Sequence, residues 1–152
     1  MHKTADLLVS IRCITKAFVG IQKKLCEKYG LTLLEMQVIS FLYNNPELNT
    51  AGDIVGYRML SKGNVSQAVD SLIGKGLMER RPDAADRRRI HLHLLPKSEP
   101  ITQDADREWK QFNETLFQGF SEKEKNLYDC FREKLMQNAK KIMKGEEENE
   151  RD

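Results

Sequence analysis

The sequence has few cysteines, no long apolar run and no targeting segment at its start. Three cysteines at wide spacing fit reduced thiols better than a disulfide framework. No apolar stretch approaches the roughly 18 to 20 residues that a membrane span needs, and Asp6, Arg12 and Lys16 interrupt any signal-peptide core. We therefore expect a cytoplasmic chain with no membrane partner.

Clustered catalytic groups are also missing. The sequence has no glycine-rich phosphate loop, no carboxylate pair beside a base, and no nucleophile with a histidine at motif spacing. His91 and His93 form a His-x-His pattern that is half of a metal site, but no further ligands lie nearby in sequence. We therefore expect no enzyme, no cofactor and no metal, and interpret both histidines as exposed residues.

The charge of the chain is unevenly distributed. The formal net charge is +2, and residues 145–152 contribute −4 (five acidic residues and one arginine), which leaves +6 for the remainder. A moderately basic folded part favours an anionic partner. We expect residues 145–152 to form a disordered acidic tail.

The most informative stretch covers residues 61–95. Its first half has apolar residues at the spacing of one helix face, with a small, polar face opposite. The apolar residues are Val65, Ala68, Val69, Leu72 and Ile73. Its second half is a predicted hairpin that carries Arg80, Arg81, Arg87, Arg88 and Arg89. A polar-faced helix followed by a basic hairpin suits groove reading and phosphate contact.

The remaining chain is predicted to be helical, with clear start signals. Thr32 with Glu35, Thr50 with Asp53, and Ser121 with Glu124 predict capping boxes. Ser61 is the predicted N-cap of the polar-faced helix, and Ser98 that of a helix starting near residue 101. The short turn before residue 61 has the spacing of a helix-turn-helix.

Three outer helices, one at the N-terminus and two at the C-terminus, carry apolar stripes that a small core cannot cover. A second copy of the chain is the simplest partner for them. A monomeric helical bundle is the alternative. Oxidation of Cys13 or Cys26 between two chains is a further alternative, since about 20 Å of helix separates the two within one chain.

This order of elements resembles the MarR family of winged helix-turn-helix transcriptional regulators over roughly residues 5–143. The segment VSQAVDSLIGKGLMERRPDAADRRRIHLHLL matches the family's recognition helix, its G-L-apolar-x-R phrase and a wing with an Asp-x-Arg step, here Asp86 to Arg88. The resemblance implies a mainly α fold with a small β-hairpin wing. It implies a winged helix-turn-helix domain over residues 30–97, and long dimerisation helices over 1–29 and 98–144.

The resemblance also implies a function. A homodimeric repressor would bind double-stranded DNA at a pseudo-palindromic operator, with Arg88 in the minor groove, where narrow A·T-rich DNA concentrates negative potential. A small, often aromatic or phenolic effector would bind between the dimerisation helices and the winged lobe, and its binding residues are unknown. Phe18, Tyr43 and Trp109 are candidates no better than their role as core residues. A winged-helix module that binds proteins is the alternative function.

We predict DNA contacts on the recognition helix and the hairpin. The residues are Ser61, Lys62, Asn64, Ser66, Gln67, Arg80, Asp86, Arg87, Arg88 and Arg89. Gln67 stands where the family often has arginine, and glutamine can read adenine through two hydrogen bonds. Asp86 either pins the hairpin turn or pairs with a wing arginine. Arg80 or Arg81 pairing with Glu79, Asp83 or Asp86 is the alternative to phosphate contact.

Overall fold

A computed structural model describes residues 3–149, which form six α-helices, one 3-10 turn and one two-stranded antiparallel sheet. The elements are α1 (Lys3–Tyr29), α2 (Leu33–Asn44), α3 (Ala51–Arg58), α4 (Lys62–Gly74), β1 (Met78–Pro82), β2 (Ile90–Leu94), the 3-10 turn (Pro96–Ser98), α5 (Glu99–Leu116) and α6 (Glu122–Asn149). This architecture confirms the predicted mainly α fold with one hairpin. The chain divides into two compact units after Phe112, within α5.

The core of the first unit is built around α2. Helix α2 is apolar on most faces, and Val38, Ile39 and Phe41 are fully inaccessible to solvent. The predicted apolar face of α4 packs against it, with Val65, Val69 and Leu72 buried. The same core includes Leu25 and Cys26 of α1 and Ile101 and Ala105 of α5. The first unit therefore combines the winged helix with parts of α1 and α5, which are two of the three helices expected to dimerise.

Local signals set the helix ends. The capping boxes predicted at Thr32 and Thr50 are present, and Ser121 exchanges the same pair of hydrogen bonds with Glu124. Helix α4 ends where Gly76 adopts a left-handed φ of 70°. There the Leu77 amide donates to the Leu72 carbonyl at 3.0 Å, and the Gly76 amide to Ile73 at 2.9 Å. These two hydrogen bonds form a Schellman motif, in which glycine is favoured at the left-handed position after the helix.

Several boundaries differ from the predictions. Ser98 is not an N-cap: its hydroxyl donates to the Leu95 carbonyl inside the 3-10 turn, and α5 begins earlier, at Glu99. Helix α6 continues through the start of the acidic tail to Asn149, because glutamate is a good helix former. Residues 150–152 of that tail lie outside the described residues.

The hairpin has one apolar and one polar face. Met78 pairs with Leu94, Arg80 with Leu92, and Pro82 with Ile90. Directly opposed residues in an antiparallel pair point to the same side, so Arg80 projects from the edge of the face that packs on the core. Leu92 of β2 is buried. His91 and His93 differ from the prediction, because both are half-buried, and the His91 side chain is only 21% exposed.

The second unit contains the end of α5 and all of α6. Gly119 has a φ of 86° in the turn between them. Phe117 packs with its ring edge against Phe120 and Tyr128, at centroid distances of 5.6 and 5.2 Å. Along α6, several large apolar side chains are exposed. They are Leu127, Tyr128, Phe131, Leu135, Met136, Ile142 and Met143.

Candidate DNA-binding surface

The exposed face of α4 carries the predicted reading residues. Lys62, Asn64, Ser66 and Gln67 are all exposed, whereas the apolar residues between them are buried. The first turn has no acidic residue, so the partial positive charge of the helix N-terminus and the Lys62 ammonium act together. Phosphate groups are favoured at such a helix end.

Ser61 caps this helix, as predicted. Its backbone is extended, with φ −71° and ψ 145°, and its side-chain oxygen accepts the Asn64 amide N–H at 3.2 Å. The hydroxyl proton is not used in that bond. Ser61 is therefore a structural residue that can still donate one hydrogen bond to an anion.

An ion pair between a half-buried lysine and a buried carboxylate fixes the C-terminal end of α4. Lys75 Nζ donates to both oxygens of Glu35, at 2.9 and 2.7 Å, and the Ser71 hydroxyl donates to Glu35 Oε1 at 2.5 Å. Burial opposes ionisation of Glu35. The hydrogen bonds from Lys75, Ser71 and the Thr32 amide outweigh it and hold the pKa of this carboxyl below its ordinary value. The network joins α4 to the start of α2.

Two of the five arginines are paired with carboxylates. Arg80 donates to Asp70 of α4 at 2.7 Å, which bridges the hairpin to the exposed face of the recognition helix. Arg81 pairs with Glu79 on its own strand. Both pairs are solvent-exposed, so each contributes little to stability. A phosphate can replace the carboxylate partner of either guanidinium.

Arg87, Arg88 and Arg89 lie together between the strands, and all three are exposed. Among residues 4–144, no carboxylate lies within ion-pair distance of these three side chains. Asp86 pins the turn and does not pair with an arginine side chain: its carboxylate accepts the Arg88 amide at 3.0 Å, and its carbonyl accepts the Arg89 amide at 2.9 Å. Three unpaired guanidinium groups thus project from one ordered turn.

Asp83 organises the start of that turn. One carboxylate oxygen accepts the amides of Ala85 and Asp86 at 2.8 and 2.9 Å, and the other lies 3.0 Å from His91 Nε2. The Asp86 amide, His91 and the Ala85 amide, in that order, lower the pKa of Asp83 to about 2. The carboxylate is therefore ionised at neutral pH and acts only as an acceptor.

A cavity of about 270 Å³ separates α4 from the hairpin. Lys62 and Ser66 line it on the helix side and Arg80 on the strand side, above an apolar floor that includes Val55 and Leu92. The structure thus brings three predicted site residues around one opening. Arg87, Arg88 and Arg89 form a second group at the hairpin turn.

Sequence reasoning missed four polar residues of this surface: Asn49, Asp70, Asp83 and His91. Asp83 had a local signal, because an aspartate after proline in a turn commonly accepts amides two and three residues ahead. Asp70 and Asn49 had no such signal, since their partners lie 10 and 42 residues away. Within residues 4–144, no group of three or more metal-ligating side chains is present.

Comparisons with known proteins agree with this geometry. Residues 29–89 match the model of the MarR family. The chain is 25% identical over 141 residues to YsmB of Bacillus subtilis (strain 168), an HTH-type transcriptional regulator, covering 93% of this chain and 96% of that relative. Residues 29–89 contain α2, α3, α4 and β1, so this part of the chain is similar to the MarR family.

Solved MarR structures share the fold. The complex of S. aureus MepR with DNA superposes with a TM-score of 0.71 at 19% identity, covering 91% of this chain and 96% of MepR. Bordetella bronchiseptica BpsR, whose DNA binding is regulated by 6-hydroxynicotinic acid, gives a TM-score of 0.66 at 18% identity and coverages of 86% and 98%. No helix within residues 3–149 is long and apolar enough to cross a membrane.

Proposed function

We propose that the chain is a homodimeric, ligand-responsive repressor that binds a pseudo-palindromic operator in double-stranded DNA. The exposed face of α4 enters the major groove and the hairpin acts as a wing in the adjacent minor groove. Base contacts come from Asn64, Ser66 and Gln67, while Ser61 and Lys62 contact phosphates at the helix start. Arg88 enters the minor groove, with Arg80, Arg87 and Arg89 on the backbone.

The observation that supports this proposal is the cluster of unpaired arginines beside a polar helix. Exposed arginines are commonly neutralised by neighbouring carboxylates, as Arg80 and Arg81 are here. Leaving three unpaired on a turn pinned by Asp83 and Asp86 concentrates positive charge without a folding benefit. An anionic partner recovers that cost, and a narrow minor groove supplies the strongest local negative potential on DNA.

Exposed apolar residues support a second copy of the chain as the partner of the outer helices. On α1 these are Leu7, Leu8, Val9, Ile11 and Ile14, each at least 40% exposed. On α6, Phe131, Leu135 and Ile142 are more than half exposed. Contiguous apolar residues on long helices mark interaction surfaces, and closed homodimers are the commonest oligomers. A light-scattering mass of a monomer would contradict the dimer.

The effector is proposed by analogy with BpsR, which responds to 6-hydroxynicotinic acid. A ligand that binds one spacing of the two DNA-binding lobes better than the other would shift the population toward that spacing. Phe18 and Trp109, suggested as pocket residues, contact each other edge to face at 4.4 Å. Their close packing supports a core role, so no binding residues are assigned to the effector.

The test is fluorescence anisotropy with duplexes selected from a random-sequence pool by the natural chain. Changing Arg88 to Ala should weaken binding by roughly 1–3 kcal/mol and reduce the salt dependence, because one phosphate or groove contact is lost. Lys123 is an exposed cation of α6. Changing it to Ala is the matched control and should leave DNA affinity unchanged. Equal affinity of the Arg88→Ala chain at fixed salt would remove the wing from the proposal.

A flat response of binding to salt would instead favour the alternative function, a winged-helix module that binds proteins. Phosphate contacts release counterions, so true DNA binding must weaken steeply between low and physiological salt. Repeating the titration with candidate aromatic acids tests the effector. If none of these acids changes the DNA affinity, the proposal of an aromatic effector is wrong.

A further inference from the structure

A polar network ties the turn of the hairpin to the loop between α2 and α3. Its three members are Asn49, Asp83 and His91, which we call the tip network. His91 Nδ1 lies 2.5 Å from Asn49 Oδ1, and Nε2 lies 3.0 Å from Asp83 Oδ2. The Asn49 carbonyl also accepts the amide N–H of Leu92 at 2.7 Å. The histidine ring is therefore held from both sides at a partly buried position.

Both ring nitrogens of His91 have a polar partner. The Asp83 carboxylate is an acceptor, so the Nε2–H group of the ring donates to it. The Asn49 side chain carries an acceptor oxygen and donor N–H groups, so it can complement Nδ1.

The same network reaches the unpaired arginines through the backbone. Asp83 accepts the amides of Ala85 and Asp86, and its own amide donates to the Arg89 carbonyl at 2.8 Å. Asp86 in turn holds the amides of Arg88 and Arg89. Moving Asp83 would thus move the peptide units that carry all three guanidinium groups.

We propose that His91 is a positioning residue for DNA binding, whose ring fastens the hairpin turn to the α2–α3 loop and thereby holds the wing arginines in place. The inference rests on the proposed function, because it presupposes that the wing contacts DNA. Loss of the ring should release the turn and weaken DNA binding.

Asp53 of α3 also lies near the ring, and Arg81 stands opposite His91 in the strand pair. The His93 ring centroid is 6.4 Å away, which makes His93 the matched control.

The experiment compares His91→Gln with His93→Gln. Each change removes one ionisable ring from β2, but only the first breaks the tip network. Anisotropy is measured with a duplex that the natural chain selects from a random pool, at constant pH and ionic strength. His91→Gln should weaken binding roughly three- to tenfold. His93→Gln should change it less than about twofold.

A double-mutant cycle separates positioning from folding. Adding Arg88→Ala should weaken binding roughly tenfold in the natural chain but less than about threefold in the His91→Gln chain, because the arginine is already misplaced there. Additive losses in this cycle, or equal losses of affinity in the two glutamine variants, would overturn the inference. If His91→Gln does not fold, Asn49→Ala replaces it, with the same two expectations. A natural chain that selects no duplex contradicts the proposed function instead.

Discussion

The recognition helix and the wing turn serve the same surface but are held by different forces. Helix α4 is held by buried apolar side chains and by the ion pair between Lys75 and the buried Glu35 carboxylate. The turn that carries Arg87 to Arg89 has no buried apolar side chain. It is held by hydrogen bonds that the Asp83 and Asp86 carboxylates accept from backbone amides and by the contact of Asp83 with His91. The helix is therefore tied to global stability, whereas the turn can change shape while the fold persists.

Leu72→Ala should give the largest loss of stability, because Leu72 on α4 is fully buried and its truncation leaves a cavity. We expect the free energy of unfolding to fall by about 2–5 kcal/mol. Urea denaturation followed by circular dichroism measures it. A loss below about 1 kcal/mol would mean that the helix is not held by its apolar face. Ser66→Ala, at an exposed position on the same helix, is the control.

Lys75→Met should have a smaller effect on stability. It leaves the Glu35 carboxylate buried without its cation, but Lys75 is 36% exposed. We therefore expect about 1–2 kcal/mol, less than for a fully buried pair. Glu35 has a pKa lowered from 4.5, so its stabilising contribution is present above pH 4.5 and is lost as the pH falls through the lowered value. The gap between natural and variant unfolding energies should narrow in acid, and a constant gap would contradict this account.

Two substitutions of Ser61 distinguish its role as a helix cap from its proposed role in DNA contact. Ser61→Ala removes the hydrogen bond to the Asn64 amide and should lower stability by about 1 kcal/mol. Ser61→Asp keeps a capping oxygen and should preserve stability, but it places a negative charge where a phosphate is expected, so DNA affinity should fall. Thermal unfolding measures the stability of both variants, and fluorescence anisotropy measures their DNA affinity. Undiminished DNA binding by Ser61→Asp would remove this helix end from the interface.

Asp83→Asn should have the smallest effect on stability and a clear effect on the turn. The pKa of Asp83 is lowered to about 2, so in the natural chain its bonds to the Ala85 and Asp86 amides persist until the pH falls toward that value. We expect an unchanged urea midpoint, with altered amide chemical shifts confined to residues 83–91. Asp129→Asn, at an exposed site on α6, is the control. A lowered urea midpoint would contradict the contrast between helix and turn.

Local chemistry explains why much of this architecture was predictable. The capping boxes at Thr32, Thr50 and Ser121 and the glycine at position 76 act within a few residues, so the sequence alone determines those helix ends. The start of α5 was missed because Ser98 uses its hydroxyl in a 3-10 turn that resembles a cap signal in sequence.

Long-range pairs of the site were not predictable from periodicity. The recognition face of α4 follows from its 3.6-residue spacing. The pair between Arg81 and Glu79 is one of the pairings that we gave as the alternative to phosphate contact. The partner of Arg80 depends on the strand register, which turns Arg80 toward Asp70. His91 was interpreted as exposed for the same reason, because only the folded chain brings Asn49 beside β2.

The hydrogen bond from the Leu92 amide to the Asn49 carbonyl has a consequence for self-association. A two-stranded hairpin has two open edges, each able to recruit a strand from another molecule. The Asn49 carbonyl accepts the Leu92 amide on the outer edge of β2, so the loop before α3 covers that edge at this position. Arg81 and Pro82 protect the β1 edge, since charge and proline both disfavour strand addition. The wing can therefore project from the surface without becoming a site of aggregation.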